Sequence, residues 1–301
     1  MRTSALTVIN LELEKPHIVH RLSAAYSADP GECGAAAPLT MSTTYRFFKS
    51  LTHAGLISTV SPGRYVLGPA IVQLDRQTRL LDPLIRVAQP IMQGVVGDLR
   101  LPGVLLLCRL FRKQVMCIHQ EFVERPTSAV SYERGRPMPL YRGAASKVIL
   151  ANLPARSVRA FYDANQADMA AAGFGPDWNA VKAALRRLRN ARVCVTAGEL
   201  DAGMTGIGVP LHNAAGAVDA SLGFVLPDEL SNPQRLELIS AALDAAARKF
   251  DASLLQAINT PSARSIESRP ASSRKHRPVA GPGRVRRSAA SRDTAAAIQT
   301  R

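Results

Sequence analysis

The sequence predicts an α+β protein whose main sheet is mainly antiparallel, preceded by a small module of helix and ribbon. Three observations predict it. Apolar, β-branched runs follow one another as strand, turn, strand at 103–122 and again at 192–226. Segments of helical periodicity gather before, between and after these runs instead of alternating with single strands, which is the α+β pattern. A chain of 301 residues, 47% of them hydrophobic, exceeds the usual size of one domain and can bury a sizeable core.

The elements follow in order. Residues 17–28, HIVHRLSAAYSA, put Ile18, Leu22 and Ala25 on one face of a first helix. DPGECGAAAP comes next, and its two prolines and two glycines permit only a short helix. A third helix is expected from Ser42, as N-cap, to Ala54, with Gly55 as its stop. LISTV and RYVLG then read as a two-stranded ribbon around Ser61-Pro62-Gly63. Residues 70–100 are helical again, and Pro83 and Pro90 are expected to divide them. GVLLLCRLF and QVMCIHQEF form a hairpin across Arg112-Lys113. RGAASKVILANLP is a helix ended before Pro154, and ARSVRAFYD is another. DWNAVKAALRRLRNA is a third, with Trp178, Val181, Leu185 and Leu188 on one face. RVCVTAGE, MTGIGVPLH and GAVDASLGFVL are three strands, and residues 232–257 form the closing helix. The expected division is 1–68 for the first module, 69–82 for a linker helix, 83–258 for the second domain and 259–301 for a tail.

Charge and composition exclude several classes. The formal charge is +15, and residues 259–301 carry ten Lys/Arg against two Asp/Glu. That tail is rich in Ser, Pro, Ala and Arg without apolar periodicity, so it is expected to be disordered and to add sequence-independent attraction to phosphates. No run of eighteen apolar residues predicts a membrane span, and the N-terminus does not read as a secretory signal. Cys33, Cys108, Cys117 and Cys194 form no CxxC pair or zinc spacing, which predicts reduced, mostly buried thiols in a cytoplasmic protein. None of the six histidines lies in a nucleophile or metalloprotease setting, so neither catalysis nor a cofactor is expected.

The third helix carries the most informative chemistry. Thr44, Phe47, Phe48 and Leu51 make a core stripe. The opposite side holds Thr43, Arg46, Ser50 and His53, flanked by Tyr45 and Lys49, with no carboxylate. Such a face suits a major groove, where cations meet phosphates and polar tips meet base edges. The ribbon, with Arg64 on its return strand, would sit beside it as a wing. The arrangement is that of a winged helix-turn-helix, with Ser42, Thr43, Tyr45, Arg46, Lys49 and Arg64 as DNA-binding candidates. Gly31, Gly34 and Pro38 make the preceding segment a poor helix, so the alternative is a ligand sensor of the same fold without specific DNA binding.

Three blocks carry a resemblance. MSTTYRFFKSLTHAGLI with GRYVLGP resembles the recognition helix and wing of the IclR family of bacterial transcriptional regulators. GRPMPLYRGAASKVILANLP and AGELDAGMTGIGVPLHNAAGAVDASLGF resemble two further blocks of that family, in the same order. The resemblance implies an N-terminal winged helix-turn-helix, a linker helix and a GAF-like effector domain. It implies a homodimer or homotetramer on a palindromic DNA operator, repressing or activating catabolic genes in response to a small organic acid. Ser146 and Arg142 depart from the family, in which a glycine and a smaller residue are usual.

An organic acid needs backbone N–H groups converging on its carboxylate, often at a helix start. Gly143, Ala144 and Ala145 offer an open one, and the resemblance implies that this loop touches the ligand. Arg142 is either a bidentate clamp or a solvent-facing arginine. The opposite wall is expected from Thr196, Glu199, Gly203, Gly206, Gly223 and Val225, with Glu199 either a ligand contact or a partner of loop amides.

Overall fold

The computed structural model describes residues 40–122 and 131–259. The expected first and second helices and the basic tail lie outside them. Helix α1 (Met41–His53) begins two residues earlier than the sequence suggests. Thr40 is its N-cap, its hydroxyl accepting the Thr43 N–H at 3.3 Å, so Ser42 is not the cap. Gly55 ends it at φ +72°, a conformation that favours glycine. Strands β1 (Ile57–Ser61) and β2 (Arg64–Leu67) form the ribbon, antiparallel, with Gly63 at φ +75° in the turn. Phe48, Leu51 and Ile57 make a small core between helix and ribbon, closed by the Tyr65 ring edge-on to Phe48 at 4.7 Å.

Helix α2 (Pro69–Leu81) has no buried residue. Helix α3 (Pro83–Leu99) starts at Asp82, whose carboxylate caps Leu84 N–H at 2.9 Å. Pro83 divides the two helices, but Pro90 does not divide α3 as expected. It is exposed, and Ile91, Met92, Val95 and Val96 anchor the turns beyond it in the core. Arg109 grips Asp82 bidentately at 2.7 and 3.0 Å, and Arg134 pairs with Asp75 on α2. That Arg134 hydrogen bond holds the Asp75 carboxyl below its ordinary 3.8. The resulting stabilisation is fully present above pH 3.8 and disappears as pH falls through the lowered value.

The main sheet has six strands in the order β5-β4-β3-β8-β7-β6. They are β3 (Val104–Phe111), β4 (Gln114–Phe122), β5 (Pro137–Pro139), β6 (Cys194–Ala197), β7 (Met204–His212) and β8 (Val218–Pro227). All its named strand pairings are antiparallel. The short edge strand β5 had no signal in the sequence. Alternation along β3 sends Leu105 and Leu107 to one face and Val104, Leu106 and Cys108 to the other, and both faces are buried. α3 and α8 (Pro233–Asn259) cover the first face. The second is covered by α4 (Ala144–Asn152), α5 (Ala155–Ala164), α7 (Trp178–Ala191) and the unforeseen α6 (Gln166–Ala171). Cys108, Cys117 and Cys194 are free and buried.

Gly208 on β7 lets α4 approach this sheet. A Cβ there would lie 2.7 Å from the carbonyl of Ala144. The same close packing sets the position of the α4 N-terminus, where the expected acid site lies.

Candidate functional site

Two places carry chemistry. The first is the outer face of α1. Ser42, Tyr45, Arg46, Lys49, Ser50 and His53 are exposed, and the helix contains no Asp or Glu. Arg46, Lys49 and Arg64 have no ion-pair partner among the described residues. Thr43 is half-buried and its hydroxyl meets that of Thr40 at 2.9 Å, so it is already engaged. Arg64 lies exposed at the start of β2.

The second is the start of α4. Gly143 has φ +79°, and a Cβ there would meet Leu200 at 2.5 Å and the Tyr132 hydroxyl at 2.7 Å. Only glycine fits this turn. The cavity at this point is lined by Gly143, Ala144, Thr196, Glu199, Gly206 and Val225 from the expected set. Its volume is about 20 Å³, room for one water. The helix start is not open. Glu199 Oε2 accepts the Gly143 N–H at 3.0 Å, and Oε1 meets Lys147 Nζ at 2.5 Å. A resident carboxylate therefore occupies the position where a ligand's was expected.

Four expected residues lie elsewhere. Arg142 is exposed, and its guanidinium donates to the Glu199 backbone carbonyl, so it tethers the loop and does not line the cavity. Ala145 packs into the core, and Ser221 donates to its carbonyl at 2.9 Å. Gly223 is a packing glycine, since a Cβ would come within 3.2 Å of Ala145 Cβ. Gly203 is an exposed turn glycine at φ +77° with open space around it.

Sequence reasoning missed the rest of the lining: Tyr132, Leu200, Asp201 and Met204. Tyr132 is buried, its hydroxyl 2.7 Å from the Ser146 hydroxyl, and burial pushes its ionisation well above the usual tyrosine range. Asp201 accepts from both the amide and the hydroxyl of Ser131. It stands two residues beyond Glu199, so the acidic pair in AGELD was the available signal. Tyr132 had none, because fold brings it to the cavity from a distant segment.

The family model described as bacterial transcriptional regulator IclR, C-terminal, matches residues 81–252, more than half of the chain. The chain belongs to the IclR family. Solved IclR structures share its fold. The regulator from Alicyclobacillus acidocaldarius is 21% identical, with 76% of this chain and 91% of that one covered at a TM-score of 0.62. A putative IclR regulator from a Silicibacter species is 19% identical, covering 76% and 90%, at 0.63. An IclR homologue from Microbacterium hydrocarbonoxydans, complexed with 4-hydroxybenzoate, is 21% identical, covering 77% and 92%, at 0.61. No curated protein gives a significant match. The IclR assignment makes the chain a transcriptional regulator with an effector-binding C-terminal domain, and not an enzyme. No helix among the described residues is long and apolar enough to cross a membrane.

Proposed function

We propose that this IclR-family chain binds duplex DNA through α1 and the β1–β2 wing and responds to a small carboxylate-bearing metabolite held at the start of α4. The exposed face of α1, cationic and hydroxyl-bearing without a carboxylate, carries the DNA reading. Arg46 and Lys49 supply attraction to phosphates and reach for base edges, and Arg64 grips the backbone. Arg46→Ala is expected to lose specific retention of the chain's own upstream DNA by about tenfold or more, on the basis of about 1–3 kcal/mol for a base-reading arginine. Removal of residues 259–301 lowers affinity evenly for all sequences and flattens the salt dependence. Gel shifts at two salt concentrations separate these effects. Equal retention by wild type and Arg46→Ala would refute the assignment of α1.

The acid site rests on the Gly143 N–H, which already holds a carboxylate, and on Lys147 beside it. Admission of a metabolite requires the Glu199 loop to withdraw. That loop has glycines in the left-handed region at Gly198 and Gly203, where it can pivot. The Microbacterium relative's 4-hydroxybenzoate is itself a carboxylate, which supports this ligand class.

The same reading includes a homo-oligomer on a palindromic operator. Val72, Leu74, Leu80 and Leu81 are exposed on α2, at 72% and 65% for Val72 and Leu81. Leu74 and Leu81, seven residues apart, lie on one side of the helix, which a second copy of α2 would cover. Leu74→Glu with Leu81→Glu is expected to shift the mass measured by light scattering toward the monomer. An unchanged mass would move the interface elsewhere.

A further inference from the structure

A second hollow, of about 310 Å³, shares Thr196 with the small cavity and has Lys147 in its wall. It lies among α4, the segment after α6, α7 and β6. Its size is at the lower end of the ~300–1,000 Å³ usual for small-molecule sites. Phe174, Leu188, Ala184 and Ala191 give it apolar walls, while Lys147 and Arg187 are its two cations. No carboxylate is among its lining residues.

Lys147 is only 7% exposed. A buried ammonium has three N–H donors and is costly unless each is met. Two are met, by Glu199 Oε1 at 2.5 Å and by the Ala172 carbonyl at 3.2 Å. The third has no acceptor among the described residues, although the Phe174 ring lies 5.2 Å from the nitrogen. Arg187 has neither a hydrogen-bond nor an ion-pair partner among the described residues, and it is exposed. One unmet donor and one unpaired guanidinium therefore border an apolar hollow that is large enough for a molecule.

We infer that this hollow is a second ligand site, for an organic monoanion with an aryl-sized apolar body. The acid group takes the remaining Lys147 N–H and the Arg187 guanidinium, and the body lies against Phe174 and Leu188. Small polar acids gain no apolar burial there and bind poorly. This hollow is distinct from the cavity at Gly143 although Lys147 serves both, and its occupant need not be the metabolite sensed there.

Isothermal titration of the full chain with 2-naphthoate, with acetate as the polar control, tests the inference. Saturable binding of one 2-naphthoate per chain is expected, and any acetate heat, which belongs to the Gly143 site, should be unchanged in Arg187→Glu. Arg187→Glu and Ala191→Trp should each weaken 2-naphthoate by about tenfold or more, the scale of a charge-assisted hydrogen bond or a filled pocket. Both positions are exposed, so unliganded melting temperatures should stay near wild type. Leu200→Trp crowds the small cavity instead and should leave 2-naphthoate binding intact. Absent saturable binding, binding indifferent to Arg187→Glu, or loss in Leu200→Trp with retention in Ala191→Trp would each overturn it. Because the two cavities are blocked by different substitutions, failure here is distinguishable from failure of the Gly143 site.

Discussion

Phe48→Ala is expected to abolish DNA retention and open the N-terminal module while the six-stranded domain stays folded. The described core of that module has three buried residues, Phe48, Leu51 and Ile57, with Phe47, Leu56 and Tyr65 packed around them. Phe48 is fully buried and its ring meets Tyr65 edge-on. Truncating a buried Phe costs about 3–5 kcal/mol. A module of about 70 residues rarely draws more than about 3–5 kcal/mol from its core, so one truncation removes most of the stability. The sheet domain has its own two large clusters, and neither includes Phe48. The variant should show an early loss of helical circular dichroism, followed by a main melting transition near the wild-type temperature. A single transition displaced as a whole would mean that module and domain unfold as one unit. Retained DNA binding would mean that the helix is held by something other than this core.

Where the sequence was legible, the reason was local periodicity. Of the expected α1 stripe, Thr44, Phe48 and Leu51 are buried and Phe47 is half-buried, because those residues recur on one side of a helix, which leaves the cationic side free. The apolar runs of β3 and β4 were legible as a hairpin across Arg112-Lys113, and the structure pairs the two strands antiparallel. Legibility ended where tertiary context decides. Pro83 and Pro90 look alike in sequence, yet only Pro83 ends a helix. Pro90 stays within α3 because apolar residues beyond it dock on the sheet and hold the helix together. The acid site shows the same limit. Gly143 and Ala144 were legible as a helix start that a carboxylate could approach. Glu199 was read as either a ligand contact or a partner of loop amides; that the amide it meets is Gly143 N–H, more than fifty residues away in sequence, depends on the pairing of β6 with β7 and the loop between them. Arg142 was read as either a ligand clamp or a solvent-facing arginine; it is exposed, and its guanidinium reaches the backbone of that loop.

Glu199→Gln should lower stability and raise affinity for added carboxylates in the same variant. Glu199 meets two demands: it caps the Gly143 N–H and neutralises Lys147, which is almost wholly buried. Leaving one member of a fully buried pair alone costs about 3–5 kcal/mol. The Glu199 side chain keeps 28% exposure, so water screens part of this, and about 1–3 kcal/mol is the expected loss. The charge it removes is chemically specific: a backbone N–H and an ammonium, both now without their anion. A small acid then competes with a neutral amide that holds these contacts less tightly than the carboxylate, and binding to the folded state raises its melting temperature by mass action. Screening small carboxylates by thermal shift should therefore give larger shifts on Glu199→Gln than on wild type, from a lower starting temperature. Lys147→Met in the same background should remove the gain, because the acid then lacks its cation. Equal shifts for wild type and Glu199→Gln would mean that Glu199 does not occupy the ligand's position, and that the carboxylate is received elsewhere in the domain.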